Sequence, residues 1–244
     1  ITRPTPTWNE AAMSEPYRVS TSPNMVGVKR VIVSVADKRN LESLVEGLVA
    51  ANPQVVFYST GGTFSRLEEI LGSRARTNLT SISEYTGQKE MAGGLVKTLD
   101  YRIYLGILAD KENEEHARHL REAGAVGFDM TVVNLYPFSK QVAERPDDLE
   151  GARQNIDIGG PTLIRASAKN FLRVAVVSNP DDYGSVTEEL ELNDGALSLA
   201  TRFRLARTAF SHTAAYDEGI SGWLDSHADI ALDSVYDSTD SPRE

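Results

Sequence analysis

Residues 54–71, QVVFYSTGGTFSRLEEIL, change period half-way along. Val55 to Tyr58 form a short continuous apolar run, β-branched and aromatic, which suits a strand buried on both faces of a parallel sheet. From Phe64 onward the apolar residues Phe64, Leu67, Ile70 and Leu71 recur at the spacing of one helix face. Between the two lies STGGT. Strand, then small hydroxyl and glycine residues, then helix is how an α/β protein builds an anion cradle: Gly61 and Gly62 admit a close backbone approach, and unpaired N–H groups with the hydroxyls of Ser59, Thr60 and Thr63 can converge on a phosphate. The spacing matches neither the dinucleotide fingerprint nor the Walker loop, so hydride transfer is disfavoured. The same residues also suit a plain tight turn.

The unit recurs on either side. KRVIVSV at 29–35 is a second buried strand, and DKRNLESLVEGLVAAN at 37–52 carries Leu41, Leu44, Val45, Leu48 and Val49 on one helix face, with Asp37 as its candidate cap. FDMTVVNLYPF at 128–138 and RVAVVS at 173–178 read as strands, as does IYLGIL at 103–108. KENEEHARHLREAG at 111–124 is a polar helix stopped by Gly124, and PDDYGSVTEELE opens a helix with proline near its first position and acids in its first turn. A longer helix over 198–223 carries Phe203, Ala206, Phe210 and Ala214 as an apolar stripe, with His212 equally suited to solvent, a cap or a substrate. His116 and His119 stand three apart with no third ligand beside them, so no metal is expected. Residues 72–100 show no clear period. The pattern predicts one βα-alternating domain over 28–225, a parallel sheet with helices on both faces and a helical C-terminal extension. An irregular leader, 1–27, and an acidic, frayed tail, 226–244, flank it.

Composition narrows the function. With 35 acidic and 25 basic residues the net charge is -10, which disfavours nucleic acid as a partner while leaving room for a local basic pocket. The chain has no cysteine, so a disulfide scaffold, a thiolate nucleophile and a Cys-ligated metal are all excluded. No run of about 18 apolar residues is present, so no membrane association is expected and a cytoplasmic location is the default.

A second chemistry-bearing stretch is RQNIDIGGPTLIRASAKN at 153–170. Asp157 stands between Ile156 and Ile158 in a strand-like run, and a carboxylate among apolar neighbours needs partners. Gly159 and Gly160 allow close approach, Pro161 suits the first turn of a following helix, and Lys169 comes about two turns into that helix. The bland reading makes Asp157 a helix cap and Lys169 a solvated lysine. The functional reading starts from the carboxyl ends of parallel strands, where ligands of open sheets bind. Ser59 to Thr63 and Asn134 to Tyr136 would both lie there. A cradle at 59–63, helped by Ser34, Lys38, Lys97 and Thr98, would hold a phosphorylated small molecule. Lys97, Tyr136, Asp157 and Lys169 would surround its other end. Such groups move protons and stabilise a developing oxyanion without metal or cofactor, which fits addition to a carbonyl followed by loss of water. Two lysines near Asp157 would depress its pKa and keep it a base.

At these residues the chain resembles a known family, the N-terminal inosine monophosphate (IMP) cyclohydrolase domain of bifunctional purine biosynthesis proteins. The resemblance is carried by SVADK at 34–38, STGGT at 59–63, VKTL at 96–99, VVNLYPF at 132–138, NIDIGGPTLIRASAKN at 155–170 and AFSHTAAYD at 209–217. It implies a three-layer, methylglyoxal-synthase-like α/β fold. It also implies closure of the formylated aminoimidazole carboxamide ribonucleotide to IMP and water, with no cofactor and no metal. By the same resemblance Ser34, Lys38, Ser59, Thr60, Gly61, Gly62, Thr63, Lys97 and Thr98 line the phosphate and ribose side. Asn134, Tyr136, Asp157, Gly159 and Lys169 face the base, and Lys97, Tyr136, Asp157 and Lys169 carry the proton transfers. A homodimer and a separate formyltransferase are the implied partners.

One segment departs from the pattern. Where the family usually reads GRVKTLHPKIHGG, this chain has GLVKTLDYRIYLG at 94–106. Leu95 replaces an arginine, Asp100 and Tyr104 replace histidines, Tyr101 a proline and Leu105 a glycine. Loss of a cation and gain of an anion should reshape binding of an anionic ligand, unless Arg102 compensates. The departure keeps open the same closure on an analogue ribonucleotide with a different five-membered ring, as in a specialised nucleoside natural product pathway. A nucleotide sensor without turnover and a triose-phosphate lyase resembling methylglyoxal synthase are the other readings. The retained Lys97, Tyr136, Asp157 and Lys169 count against the first, and NLYPF with NIDIGG against the second.

Overall fold

In a computed structural model, which describes residues 19, 21–88, 98–110, 112–230, 232, 235 and 236, the strands are β1 (Met25–Gly27), β2 (Arg30–Val35), β3 (Val56–Ser59), β4 (Leu79–Ser81), β5 (Met130–Asn134), β6 (Ala175–Val177) and β7 (Ala196–Ser198). Five of them form a parallel sheet in the order β4-β3-β2-β5-β6, and β1 pairs antiparallel with β7 in a separate ribbon. The end of the expected leader is therefore a strand, because β7 offers it a ladder. From β2 the chain adds β3 and β4 on one side, then returns to build β5 and β6 on the other. The order reverses between β2 and β5, and a crevice opens at such a switch point.

Alternation along β2 creates the layers. Val31, Val33 and Val35 enter one core with Phe57, Met130 and Val132, while Ile32 enters the other with Tyr58 and Val133. The first core is closed by α1 (Leu41–Ala51), α2 (Gly61–Leu71) and, beyond a 3-10 turn at Pro180–Asp182, a helix over Tyr183–Leu192, through Leu44, Leu48, Leu67, Val186 and Leu190. Two short helices, α3 (Ala75–Asn78) and α4 (Ile82–Thr86), flank β4. The second core takes in Ile82 of α4, Ile103 and Ile107 of α5 (Tyr101–Leu108), and Leu163, Ile164 and Ala168 of a helix over Gly159–Lys169. Next in chain order come α6 (Glu114–Glu122), α7 (Phe138–Glu144), α8 (Leu149–Gln154), α9 (Gly159–Lys169), α10 (Tyr183–Leu192) and the long α11 (Leu199–Ser226). Fully burying one of these large apolar side chains contributes about 1.5–3 kcal/mol.

Several local expectations change. IYLGIL is the body of α5 and not a strand: the Asp100 carboxylate accepts from the Arg102 N–H at 2.8 Å and starts a helix, and Ile103, Gly106 and Ile107 form its buried face. NIDI is not a strand either, but the connection between α8 and α9. Helix α1 begins after Asn40, and Asp37 instead pairs with Arg39 at 2.7 Å. The buried face of α11 is Arg202, Leu205, Ala206, Ala209 and Thr213, whereas Phe203 and Phe210 are 48 % and 42 % exposed. Arg202 has no exposure; its guanidinium donates to the carbonyls of Pro23, Asn24, Phe171, Leu172 and Leu197, tying α11 to the entry of β1. In the tail, the His227 ring meets the Pro146 carbonyl at 2.9 Å and the Tyr236 hydroxyl donates to Glu150 at 2.7 Å, so these residues return to the body. Among the described residues no helix is long and apolar enough to cross a membrane.

Candidate functional site

A cavity of about 500 Å³ opens at the carboxyl ends of β2, β3 and β5, in the crevice where strand order reverses. One part of its lining is the turn from β3 into α2. Thr60, Gly61, Gly62 and Thr63 line it there, with Ser34 and the exposed Lys38 opposite. Gly61 has φ 55°, a left-handed conformation that favours glycine. The first-turn N–H groups of α2 have no partner within the helix and lie at its positive end, and the residues that carry them line the cavity. The Thr63 hydroxyl is occupied: it donates to the Val35 carbonyl at 3.1 Å and accepts from the Val35 N–H at 3.3 Å. It locks α2 against the end of β2.

Asn134 also lines the cavity, yet its amide works on the backbone. Its Oδ1 accepts from the N–H groups of Ala36 and Asp37, both at 2.8 Å, and its Nδ2 donates to the Asp37 carbonyl at 2.8 Å. The turn after β2 is thereby fixed from the end of β5. Two residues later Tyr136, 60 % exposed, stands at the mouth, facing the same cavity as Ile158, 61 % exposed.

Asp157, Gly159 and Thr98 complete the other wall. The Asp157 Oδ1 accepts from the Gly160 N–H at 2.9 Å, so the carboxylate caps the start of α9. The residue that caps the helix, as the bland reading expected, also lines the cavity. Burial pushes its carboxyl above the ordinary value, against the Gly160 and Gly159 N–H groups, which favour the ionised form. This overturns the expectation of a depressed pKa from two lysines. A Cβ on Gly160 would lie 2.5 Å from Asp157 Oδ2 and 2.7 Å from Leu135 Cδ2, and one on Gly159 would lie 3.0 Å from the Thr98 hydroxyl. Both glycines give the wall its closeness.

Other expected site residues lie elsewhere. Ser59 is fully buried and donates to the Val33 carbonyl at 2.7 Å, fastening β3 to β2 beneath the cavity. Lys169 is exposed at the far end of α9. Ten residues of α-helix separate it from Gly159, about 15 Å along the axis, so it does not reach the Asp157 wall of its own chain. Lys97 and Leu95 lie outside the described residues. Asp100 is turned inward, accepting from Gln88 Nε2 at 2.9 Å and lying 3.7 Å from Arg102 Nε, so the added anion is paired inside the fold. His212 lies away from the cavity with Nε2 buried and unpartnered, and its ring is held toward the neutral form by burial. His116 Nδ1 accepts from the Asp110 N–H at 3.1 Å, and no group of three metal-ligating side chains occurs among the described residues.

The structure also brings in residues to which no place in the site was assigned. Gln154, Asn155, Ile156 and Ile158 line the cavity because NIDI is a loop. Tyr104 of α5 has a buried hydroxyl without a hydrogen-bond partner, and burial and then the charge of Asp157 push its pKa up. Tyr216 of α11 touches the Asp157 backbone, 59 residues away in sequence.

A family model described as MGS-like domain matches residues 40–162, and one described as AICARFT/IMPCHase bienzyme matches residues 167–241. The bifunctional purine biosynthesis protein PurH of Neisseria meningitidis serogroup A is 40 % identical over 220 residues, covering 90 % of this chain and 40 % of that protein. PurH of Magnetococcus marinus is 42 % identical over 200 residues, covering 82 % of this chain and 36 % of that protein. The chain thus spans well under half the length of these curated relatives. Among solved structures, one titled "Crystal structure of ForH" superposes with a TM-score of 0.67 at 32 % identity, covering 81 % of this chain and 99 % of that one. With its parallel sheet, its cavity at the carboxyl ends and these matches, the chain belongs to the MGS-like domain family and corresponds to the cyclohydrolase-associated region of PurH.

Proposed function

We propose that the chain closes the pyrimidine ring of a formylated aminoimidazole carboxamide ribonucleotide, giving IMP and water. The observation that carries this reading is a single cavity lined at one end by the glycine turn Thr60 to Thr63 and at the other by Asp157 and Tyr136. The first end suits a phosphate, received by N–H groups at the start of α2 and by Lys38. Tyr136 and Ile158, both exposed on the cavity, suit the two faces of a planar heterocycle.

The chemistry follows from Asp157. The carboxamide nitrogen attacks the formyl carbon, a C–N bond forms and the formyl oxygen becomes the hydroxyl of a carbinolamine. Asp157 takes the proton that nitrogen loses and returns it to the formyl oxygen, which completes the hydroxyl. The carbinolamine C–O bond then breaks as the former formamide nitrogen gives up its proton and a C=N double bond forms in the ring, and that proton, relayed by Asp157, leaves with the hydroxyl as water. A carboxyl whose pKa is raised by burial suits a group that must accept a proton and return it. The formyl group itself must be installed by a separate transferase.

Lys169 enters this reading only through a second copy. The span of α9 keeps it from the Asp157 wall of its own chain, so its role in proton transfer requires a homodimer that delivers it across an interface. The same closure on an analogue with a different five-membered ring is the second reading. It is favoured by the unpartnered Tyr104 hydroxyl within electrostatic reach of Asp157.

Ultraviolet-monitored turnover of the formylated ribonucleotide tests the proposal. Rapid closure that disappears in Asp157→Asn supports it. A folded protein with no turnover on this substrate but with turnover on a ring analogue moves the function to the second reading, and none on either overturns both.

A further inference from the structure

The loop that carries Asp157 has little secondary structure to hold it, because α8 ends at Gln154 and α9 starts at Gly159. Its backbone polar groups need partners from elsewhere. One hydroxyl from α11 supplies two of them. The Asp157 N–H donates to the Tyr216 oxygen at 2.8 Å, and the Tyr216 hydroxyl donates to the Asn155 carbonyl at 3.5 Å. A group that accepts from one side of the loop and donates to the other sets the direction of the peptides between them. The Asp157 side chain is held at its other end by Gly160, so the carboxylate is fixed from both directions.

The same helix also holds the second arm of the cavity. The Tyr216 ring meets Phe138 edge-on, with centroids 6.4 Å apart, and Trp223 meets the same Phe138 at 6.0 Å. Phe138 is 2 % exposed and opens α7 directly after Tyr136 and Pro137. Tyr216 therefore contacts the loop of the carboxylate through its hydroxyl and the segment of Tyr136 through its ring. Each half of the side chain has its own partner.

We infer that Tyr216 is a positioning residue of this site, whose hydroxyl sets the Asp157 carboxylate while its ring holds the Tyr136 arm. The inference rests on the proposed ring closure for its activity readout, and on the hydrogen bonds alone for its structural readout. Tyr216→Phe keeps the ring against Phe138 and removes only the hydroxyl, and Tyr216→Ala removes both.

The experiment measures turnover, IMP affinity by calorimetry and amide hydrogen exchange at Asp157 in the wild-type chain and both variants. Tyr216→Phe is expected to lower kcat about 10- to 100-fold, with Kd for IMP within about threefold of wild type, because a misplaced carboxylate harms the reacting geometry more than ground-state binding. Its Asp157 amide is expected to lose protection that the wild-type chain shows. Tyr216→Ala is expected to weaken IMP binding as well. Unchanged kcat in Tyr216→Phe, or an Asp157 amide unprotected in the wild-type chain, overturns the inference. Absence of turnover in the wild-type chain overturns the proposed closure instead, and the exchange measurement then decides the tether by itself.

Discussion

The Gly160 N–H donates to the Asp157 carboxylate at 2.9 Å, so the group proposed to move protons is also the cap on α9. Stability and chemistry are tied at this contact. A change that displaces the carboxylate acts on the helix, and a change in the first turn of the helix acts on the carboxylate.

Gly160→Ala tests the closeness of that contact. Its Cβ would meet Asp157 Oδ2 at 2.5 Å and Leu135 Cδ2 at 2.7 Å, and neither neighbour is a loose surface side chain. The variant is expected to lose ~1–3 kcal/mol in denaturant unfolding, with a fall in kcat beyond any change in nucleotide affinity. Wild-type stability with wild-type kcat is the outcome against it.

The protonation of Asp157 gives a pH signature. Burial holds its native pKa above the 3.8 of the unfolded chain, so the fold favours the neutral acid. The stability contributed by this group is fully present below the unfolded value and is lost as pH rises through the native one. Asp157→Asn keeps an acceptor and drops the charge. It is expected to raise Tm at about pH 7 by roughly 2–4 °C per kcal/mol gained, and to give no gain at about pH 3. A Tm lowered at both pH values contradicts the burial argument.

Lys169 offers a test of assembly. Because α9 carries it about 15 Å from the cavity end of the same helix, Asp157→Asn and Lys169→Ala chains are each expected to be inactive alone and to regain part of the activity when co-expressed. Mixed dimers would then hold one site with both native residues. Full activity in Lys169→Ala by itself removes the need for a second copy.

Asp100 separates cap from pocket. It starts α5 by accepting from Arg102 and holds Gln88 at 2.9 Å, but it does not line the cavity. Asp100→Ala is expected to cost about 1 kcal/mol of stability through the lost cap while leaving IMP affinity nearly unchanged. A large loss of affinity at full stability would show that the residue acts on the ligand.

Much of the site was legible because its parts are short motifs with a local mechanism. The runs in β2, β3, β5 and β6 carry apolar residues on both faces, which marks central strands whatever surrounds them, and the glycine turn after β3 leads straight into a helix. IYLGIL carried the same kind of run and became α5, because the Asp100 cap and a face of Ile103, Gly106 and Ile107 outweighed β-branched composition over so short a stretch. Ser59 and Thr60 are neighbours with the same chemistry on paper. The pleat sends the Ser59 hydroxyl into the Val33 carbonyl and leaves Thr60 on the cavity. The buried face of α11 was misread because an arginine, Arg202, takes a core position that carbonyls of Pro23 and Asn24 just before β1, of Leu197 in β7 and of the loop at 171–172 make tolerable.

What the amino-acid sequence determines by itself is whatever depends on neighbours a few residues apart: the parallel strands, the glycine turn at Thr60 to Thr63, and Asp157 beside its glycine pair. Tertiary structure decides which of these groups meet. The axial rise of α9 carries Lys169 away from its own cavity, and the packing of α11 brings Tyr216 onto the Asp157 backbone from 59 residues away. Distance along a chain does not encode distance in space, and only the packing of helices on the sheet converts one into the other.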